Sequence, residues 1–225
     1  MIVIVIILIV GIVVFVVVKS QKKPQKRKPE PSTKSEYDMM VFDCETTGLL
    51  KRHTPTYIIQ LSWMLLDSSY NTIREENFYL KPPVSIPEFI TAINQITNDM
   101  VIKNATLSRV VMKKFHADRK QTKTLIAHNY EFDSELIDSE TYRVRLHEDN
   151  IKYKDHICTM RAGTNFCKLP GIYDTYKYPK LEELAEACGI PIPEGSRDSV
   201  SGCRITAKCA KYLADNGYLC NEWNS

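Results

Sequence analysis

Residues 1–18 carry no charged or polar side chain. A helix of that length rises about 27 Å, close to the ~30 Å of bilayer hydrocarbon. Valine and isoleucine are weak helix formers in water, but in lipid every backbone group must be satisfied within the segment, which overrides that preference. The pattern predicts a transmembrane helix over 1–18. Residues 19–36, rich in Lys and Pro, read as an extended basic linker. Because the basic cluster follows the apolar run, the positive-inside bias predicts a single-pass protein with its following domain on the cytoplasmic side of the membrane.

From Tyr37 the alternation becomes that of an α/β domain extending to residue 225. Residues 39–43 predict a first strand and 57–66 a longer apolar one. The turn 67–71 folds that strand back antiparallel onto 72–80. Pro82, Pro83 and Pro87 interrupt the chain. Leu107, Val110, Val111 and Phe115 at helical spacing predict a helix over 106–119, and 124–127 returns as a strand. A helix starts near Glu131, another covers 180–188 with Gly189 as its stop, and the last runs over 199–214.

Charge divides along the same boundary. Residues 1–36 hold seven Lys or Arg against Glu30 and Glu36, so of the overall +3 the domain itself keeps about −2. That excludes the broad basic footprint of a protein gripping long duplexes, while leaving recognition at one cleft. The seven cysteines show no metal-ligand spacing, and Cys188 and Cys203 fall on apolar helix faces, as reduced core residues do.

The chemistry concentrates in Met40-Val-Phe-Asp-Cys-Glu-Thr-Thr-Gly48. Strand alternation sends Asp43 and Glu45 to one face and Cys44 to the other. Two carboxylates in one small volume repel unless protons or a cation neutralise them, and an oxygen-only donor set favours magnesium or manganese. The polar turn beside them lets backbone approach a substrate. A second constellation, His128-Asn-Tyr-Glu-Phe-Asp133, stands at a strand-to-helix junction, where ligands of α/β sheets bind. Taken singly, Asp133 reads as a helix-start residue and His128 as a structural one.

Together the two stretches resemble the first two motifs of the DEDD 3′-to-5′ exonuclease superfamily, the ribonuclease T and proofreading-subunit group. The resemblance covers about residues 37–219, with Ile59-Gln-Leu-Ser-Trp63 and Lys180-Leu-Glu-Glu-Leu184 also fitting its pattern. It implies a ribonuclease H-like, five-stranded mixed sheet flanked by helices. It implies that Asp43, Glu45 and Asp133 are metal-binding catalytic carboxylates and that Thr46, Thr47 and Gly48 line the place of a terminal nucleotide, while Asn129 can bridge backbone groups or meet a substrate. The implied cofactor is Mg2+ or Mn2+, and the implied partner is a DNA or RNA 3′ end or a short oligonucleotide.

The third motif departs from that family, which supplies a His and, five residues later, an Asp. The matching stretch reads Arg197-Asp-Ser-Val-Ser-Gly202-Cys-Arg-Ile-Thr-Ala207, so Arg197 holds the base position and Gly202 the acid position. Asp198 offers an alternative fourth carboxylate one turn before Gly202. A smaller departure is Asn94-Gln95, where related enzymes often read His-Gly. Losing the base typically costs ~10²- to 10⁴-fold, and Arg cannot replace it because its proton does not leave near neutral pH. The sequence thus implies either an impaired exonuclease or a non-catalytic nucleotide- or protein-binding module.

Overall fold

The computed structural model describes residues 36–50, 54–173 and 175–219. The expected membrane helix and nearly all of the linker lie outside these residues. Among the described residues, no helix is long and apolar enough to cross a membrane.

Three strands form the sheet's antiparallel half: β1 (Tyr37–Thr46), β2 (Ile58–Leu66) and β3 (Thr72–Leu80). Every residue of β2 is buried, as a central strand covered on both faces requires. The β2–β3 turn is closed by Asp67, whose Oδ1 accepts from the backbone N–H of Ser69 (2.9 Å) and Asn71 (2.8 Å). Helices α1 (Glu88–Asn94) and α2 (Asn98–Asn104) follow the prolines, and two residues, Ala105–Thr106, make β4. Then come α3 (Ser108–Arg119), β5 (Thr122–Ala127), α4 (Tyr130–Arg143), β6 (His156–Cys158), α5 (Thr159–Cys167), α6 (Leu181–Ala187) and α7 (Ser199–Asp215).

The strand order is β4-β3-β2-β1-β5-β6, with β5 parallel to β1. The sheet therefore has six strands and not the expected five. The difference lies in very short strands at the edges: β4 continues the ladder of β3 through Tyr79–Ala105 and Leu80–Thr106, and β6 that of β5. Such lengths are too short to show a side-chain period.

Strand alternation sorts β1 between two cores. Met40, Phe42 and Cys44 join Phe115, Leu136 and Ile137, which places α3 and α4 on one face. Met39 and Val41 join Cys203, Ala207 and Ala210, which places α7 on the other. The described cysteines are free, and most are buried, as expected.

Candidate active site

The site gathers where β1 leaves the core. Asp43 pairs with Ser62 and Glu45 with Gln60 across the β1–β2 ladder, and the register slips by one residue directly after Glu45. A bulge there ends the regular pairing and re-aims the chain. Asp43 faces α7, where Gly202 leaves it room: a Cβ added to Gly202 would stand 2.0 Å from Asp43 Oδ2. The Asn94 side-chain amide donates to Glu45 Oε2 at 3.1 Å. Asp133, in the first turn of α4, comes from the other face of the sheet, and its Oδ1 accepts from the Cys44 thiol at 3.1 Å.

Helix α7 is set against β2 by a buried polar network. The Ser199 backbone N–H donates to Gln60 Oε1 (3.2 Å), and the Ser62 and Ser199 hydroxyls lie 2.7 Å apart. Gln60 Nε2 and the Ser62 hydroxyl both donate to Asn77 Oδ1, at 3.0 and 3.1 Å. Each buried polar group has a partner, so the network fixes the position of α7 instead of straining it. The contact of Gly202 with Asp43 follows from that docking.

Electrostatics follow from burial. The Asp43 carboxyl is held well above the usual carboxylate range, by burial first and then by the charges of Asp133 and Glu45. Burial pushes Asp133 up to about 8 against the donors from Cys44, with the charge of Glu45 adding to the rise. Glu45 rises to about 7 through burial, opposed by the Asn94 amide and reinforced by the charge of Asp198. The donors that reach these three groups are an amide, a thiol and backbone N–H. Among the described residues no three His, Cys, Asp or Glu side chains are drawn into a ready coordination shell. Asp133 is oriented by Cys44 and Glu45 by Asn94. As a donor set, three carboxylates with no thiolate or imidazole suit a hard divalent cation.

A family model described as exonuclease, of the ribonuclease T group, matches residues 40–193. The chain belongs to this exonuclease family. The match ends at residue 193, before Arg197 and α7. An uncharacterized exonuclease of Escherichia phage 186 is 27% identical over 188 residues, covering 81% of this chain and 91% of the relative. The DNA polymerase III epsilon subunit of Treponema pallidum is also 27% identical over 188 residues, covering 82% of each. In fold, the chain is similar to Escherichia coli exonuclease I in complex with a dA16 oligonucleotide, with a TM-score of 0.66 at 19% identity. That likeness covers 80% of this chain but only 41% of exonuclease I.

Within the exonuclease domain, the residues expected to meet substrate take several roles. Thr46 is buried, and its hydroxyl donates to the Gly48 carbonyl at 2.7 Å. Thr47 Oγ1 accepts from the Tyr57 N–H at 3.1 Å, so both threonines shape the loop after β1. Open space borders Gly48 where a side chain would stand. Asn129 caps α4 in the left-handed conformation (φ 68°), which asparagine adopts more readily than most residues, and its carbonyl receives the Phe132 and Asp133 N–H groups.

His128 is structural, as its sequence context suggests. Nε2 lies 3.1 Å from the Pro179 carbonyl and must donate to it, so Nδ1 accepts from the Thr159 hydroxyl at 3.0 Å. Burial lowers its pKa to about 4, and the ring stays neutral. Arg197 is exposed in the loop before α7. Asp198 is the N-cap of α7, with Oδ1 accepting from the Ser201 N–H at 3.1 Å.

Two contributors were not among the expected site residues. Asn94 holds Glu45 from the end of α1, and the visible signal was the Asn94-Gln95 pair, which differs from the pattern the resemblance implies. Cys44 holds Asp133 although it points away from Asp43 and Glu45, which period-2 alternation alone does not reveal.

Proposed function

We propose that this domain binds a nucleic-acid 3′ end together with one divalent cation, Mg2+ or Mn2+, held by Asp43, Glu45 and Asp133, and that its hydrolysis of phosphodiester bonds is impaired. The observation that carries the reading is Gly202 seated against the Asp43 carboxylate, at the position to which the resemblance assigns a fourth acid. Three carboxylates supply about three negative charges, suited to one divalent ion and not to two.

A cation bound there would acidify a water and offset charge on the phosphate. The chain's own residues do the remainder. Asn94 and Cys44 orient Glu45 and Asp133, and the loop 46–48 presents backbone beside them. At the position to which the resemblance assigns the base, Arg197 presents a guanidinium and not an imidazole. The same observation favours a second reading, in which the cleft binds a strand end, a nucleotide or a protein without cleaving anything. Residues 1–18 carry the further proposal of a membrane anchor with the domain in the cytoplasm, supported by their apolar length and the basic residues after them.

Calorimetry on the full-length chain in detergent tests the metal assignment. One magnesium or manganese site is expected, weakened at least about tenfold when Asp43, Glu45 or Asp133 is changed to Ala. Two equally tight ions in the unmodified chain would contradict the charge argument.

A further inference from the structure

Between α5 and α6 runs Lys168-Leu-Pro-Gly-Ile-Tyr-Asp-Thr-Tyr-Lys-Tyr-Pro-Lys180, a segment that neither the metal site nor the core accounts for. Large aromatic side chains normally bury themselves. Here Tyr173, Tyr176 and Tyr178 are 94%, 48% and 57% exposed.

The segment is nonetheless a built structure. The Gly171 N–H donates to the Thr175 carbonyl at 2.8 Å, the Lys177 N–H donates to the Leu169 carbonyl at 3.0 Å, and Pro170 bridges Tyr176. Glycine is required at 171, because a Cβ there would stand 2.8 Å from the Thr175 carbonyl oxygen. Tyr173 (φ 54°) and Lys168 (φ 49°) take the left-handed conformation, which costs a non-glycine residue energy.

The hairpin is tied to the strand-to-helix junction after β5. It returns to buried Pro179, whose carbonyl receives the His128 ring N–H. Val41 of β1 pairs with Ile126 of the parallel β5; Asp43 follows on β1, and His128 comes directly after the end of β5. The hairpin's anchor thus lies at the end of the sheet toward which β1 carries the first carboxylate. The segment 168–180 has three lysines against one aspartate, a local excess of +2 in a domain of about −2. Lys177 is engaged by Glu183, whereas Lys168 and Lys180 face solvent.

Exposed rings interleaved with cations are the chemistry of single-strand binding. Every base offers a π-face to a ring, and lysines follow the phosphates without reading sequence. We propose that Tyr173, Tyr176 and Tyr178 form a stacking platform for the unpaired bases of the strand whose 3′ end enters the carboxylate cleft. The inference rests on the end-binding reading above and gives it a substrate class: single-stranded nucleic acid several nucleotides long.

The test uses full-length protein in detergent and a fluorescein-labelled twelve-nucleotide oligothymidylate with phosphorothioate linkages at its 3′ end, read by fluorescence anisotropy beside a dinucleotide competitor. Replacing all three tyrosines with Ala should weaken oligothymidylate binding at least about tenfold and leave dinucleotide binding within about twofold. Replacing them with Phe should keep the affinity within about twofold, since the rings remain. Unchanged thermal unfolding would show that the hairpin change spares the fold.

If the Ala variant binds the oligomer as the unmodified chain does, or if Phe is as damaging as Ala, the stacking inference is overturned while the end-binding reading stands. If the unmodified chain binds neither the oligomer nor the dinucleotide, both fall together.

Discussion

Gly202 and Asp43 occupy each other's space. A Cβ on Gly202 would lie 2.0 Å from Asp43 Oδ2 and 2.9 Å from its Cγ, so any side chain at 202 forces the Asp43 carboxylate to move. The carboxylate of β1 stands in the space beside Gly202, and α7 is held close by Ser199 and Cys203 bonding to β2.

Metal-free stability should fall as pH rises through neutrality. Glu45 is raised to about 7 and Asp133 to about 8, so the native state holds protons that the unfolded chain has released. Stability from raised carboxylates is present below their unfolded pKa and lost as pH climbs through the folded one. His116 and His128, both lowered to about 4, act in the opposite sense and only below about 6.5. The window is therefore pH 6.5 to 8.5, with an expected loss on the order of 2 kcal/mol by denaturant titration in EDTA. Magnesium should restore most of it at pH 8.5. A flat profile would mean that these carboxylates are solvated.

Asp198 separates capping from ligation. If it serves α7 only as an N-cap, Asp198→Ala should cost about 1 kcal/mol, whereas Asp198→Asn should cost little, because asparagine caps equally well. Magnesium affinity should stay within about threefold in the Asn variant. A loss of metal binding in Asp198→Asn would make Asp198 the substitute fourth carboxylate.

The Asn94-Gln95 pair predicts opposite effects from adjacent positions. Gln95 ends α1 at φ 63°, where glycine is the usual residue, so Gln95→Gly should raise stability by up to about 1 kcal/mol, or about 2–4 °C in thermal midpoint. Asn94→Ala removes the donor to Glu45 and the acceptor of the Ile96 N–H, and should cost about 1–3 kcal/mol. It should also weaken magnesium binding. Should Gln95→Gly destabilise, the left-handed turn there is not strained.

How much of this could be read from the sequence depended on element length and burial. Strands β1, β2, β3 and β5 carry runs or alternations long enough to declare themselves, and α3, α6 and α7 show apolar faces. The seven-residue α1 and α2 follow three prolines and expose Phe89, Ile93 and Ile102, so their apolar pattern misreports which face is inside. The two-residue β4 and three-residue β6 have no period at all. At the site, Asp43 and Glu45 were legible from the strand period. The Cys44–Asp133 bond crosses 89 residues of sequence and depends on where α4 packs, which local pattern cannot state.

The proposed membrane topology rests on the apolar sequence of residues 1–18. The full-length chain should sediment with membranes and resist carbonate extraction, and protease added outside intact cells should leave the domain whole. Deleting 1–18 should release it. Digestion from outside would reverse the orientation.

The proposal that Arg197 and Gly202 impair hydrolysis is tested by magnesium-dependent nucleotide release from an oligothymidylate. The unmodified chain should be compared with Asp43→Ala, with Arg197→His and Gly202→Asp singly, and with the double change. Release by the unmodified chain is expected near the Asp43→Ala background, with little gain from either single change and a gain of about 10²- to 10⁴-fold from the double change. Vigorous release by the unmodified chain, abolished by Asp43→Ala and unimproved by the double change, would contradict it.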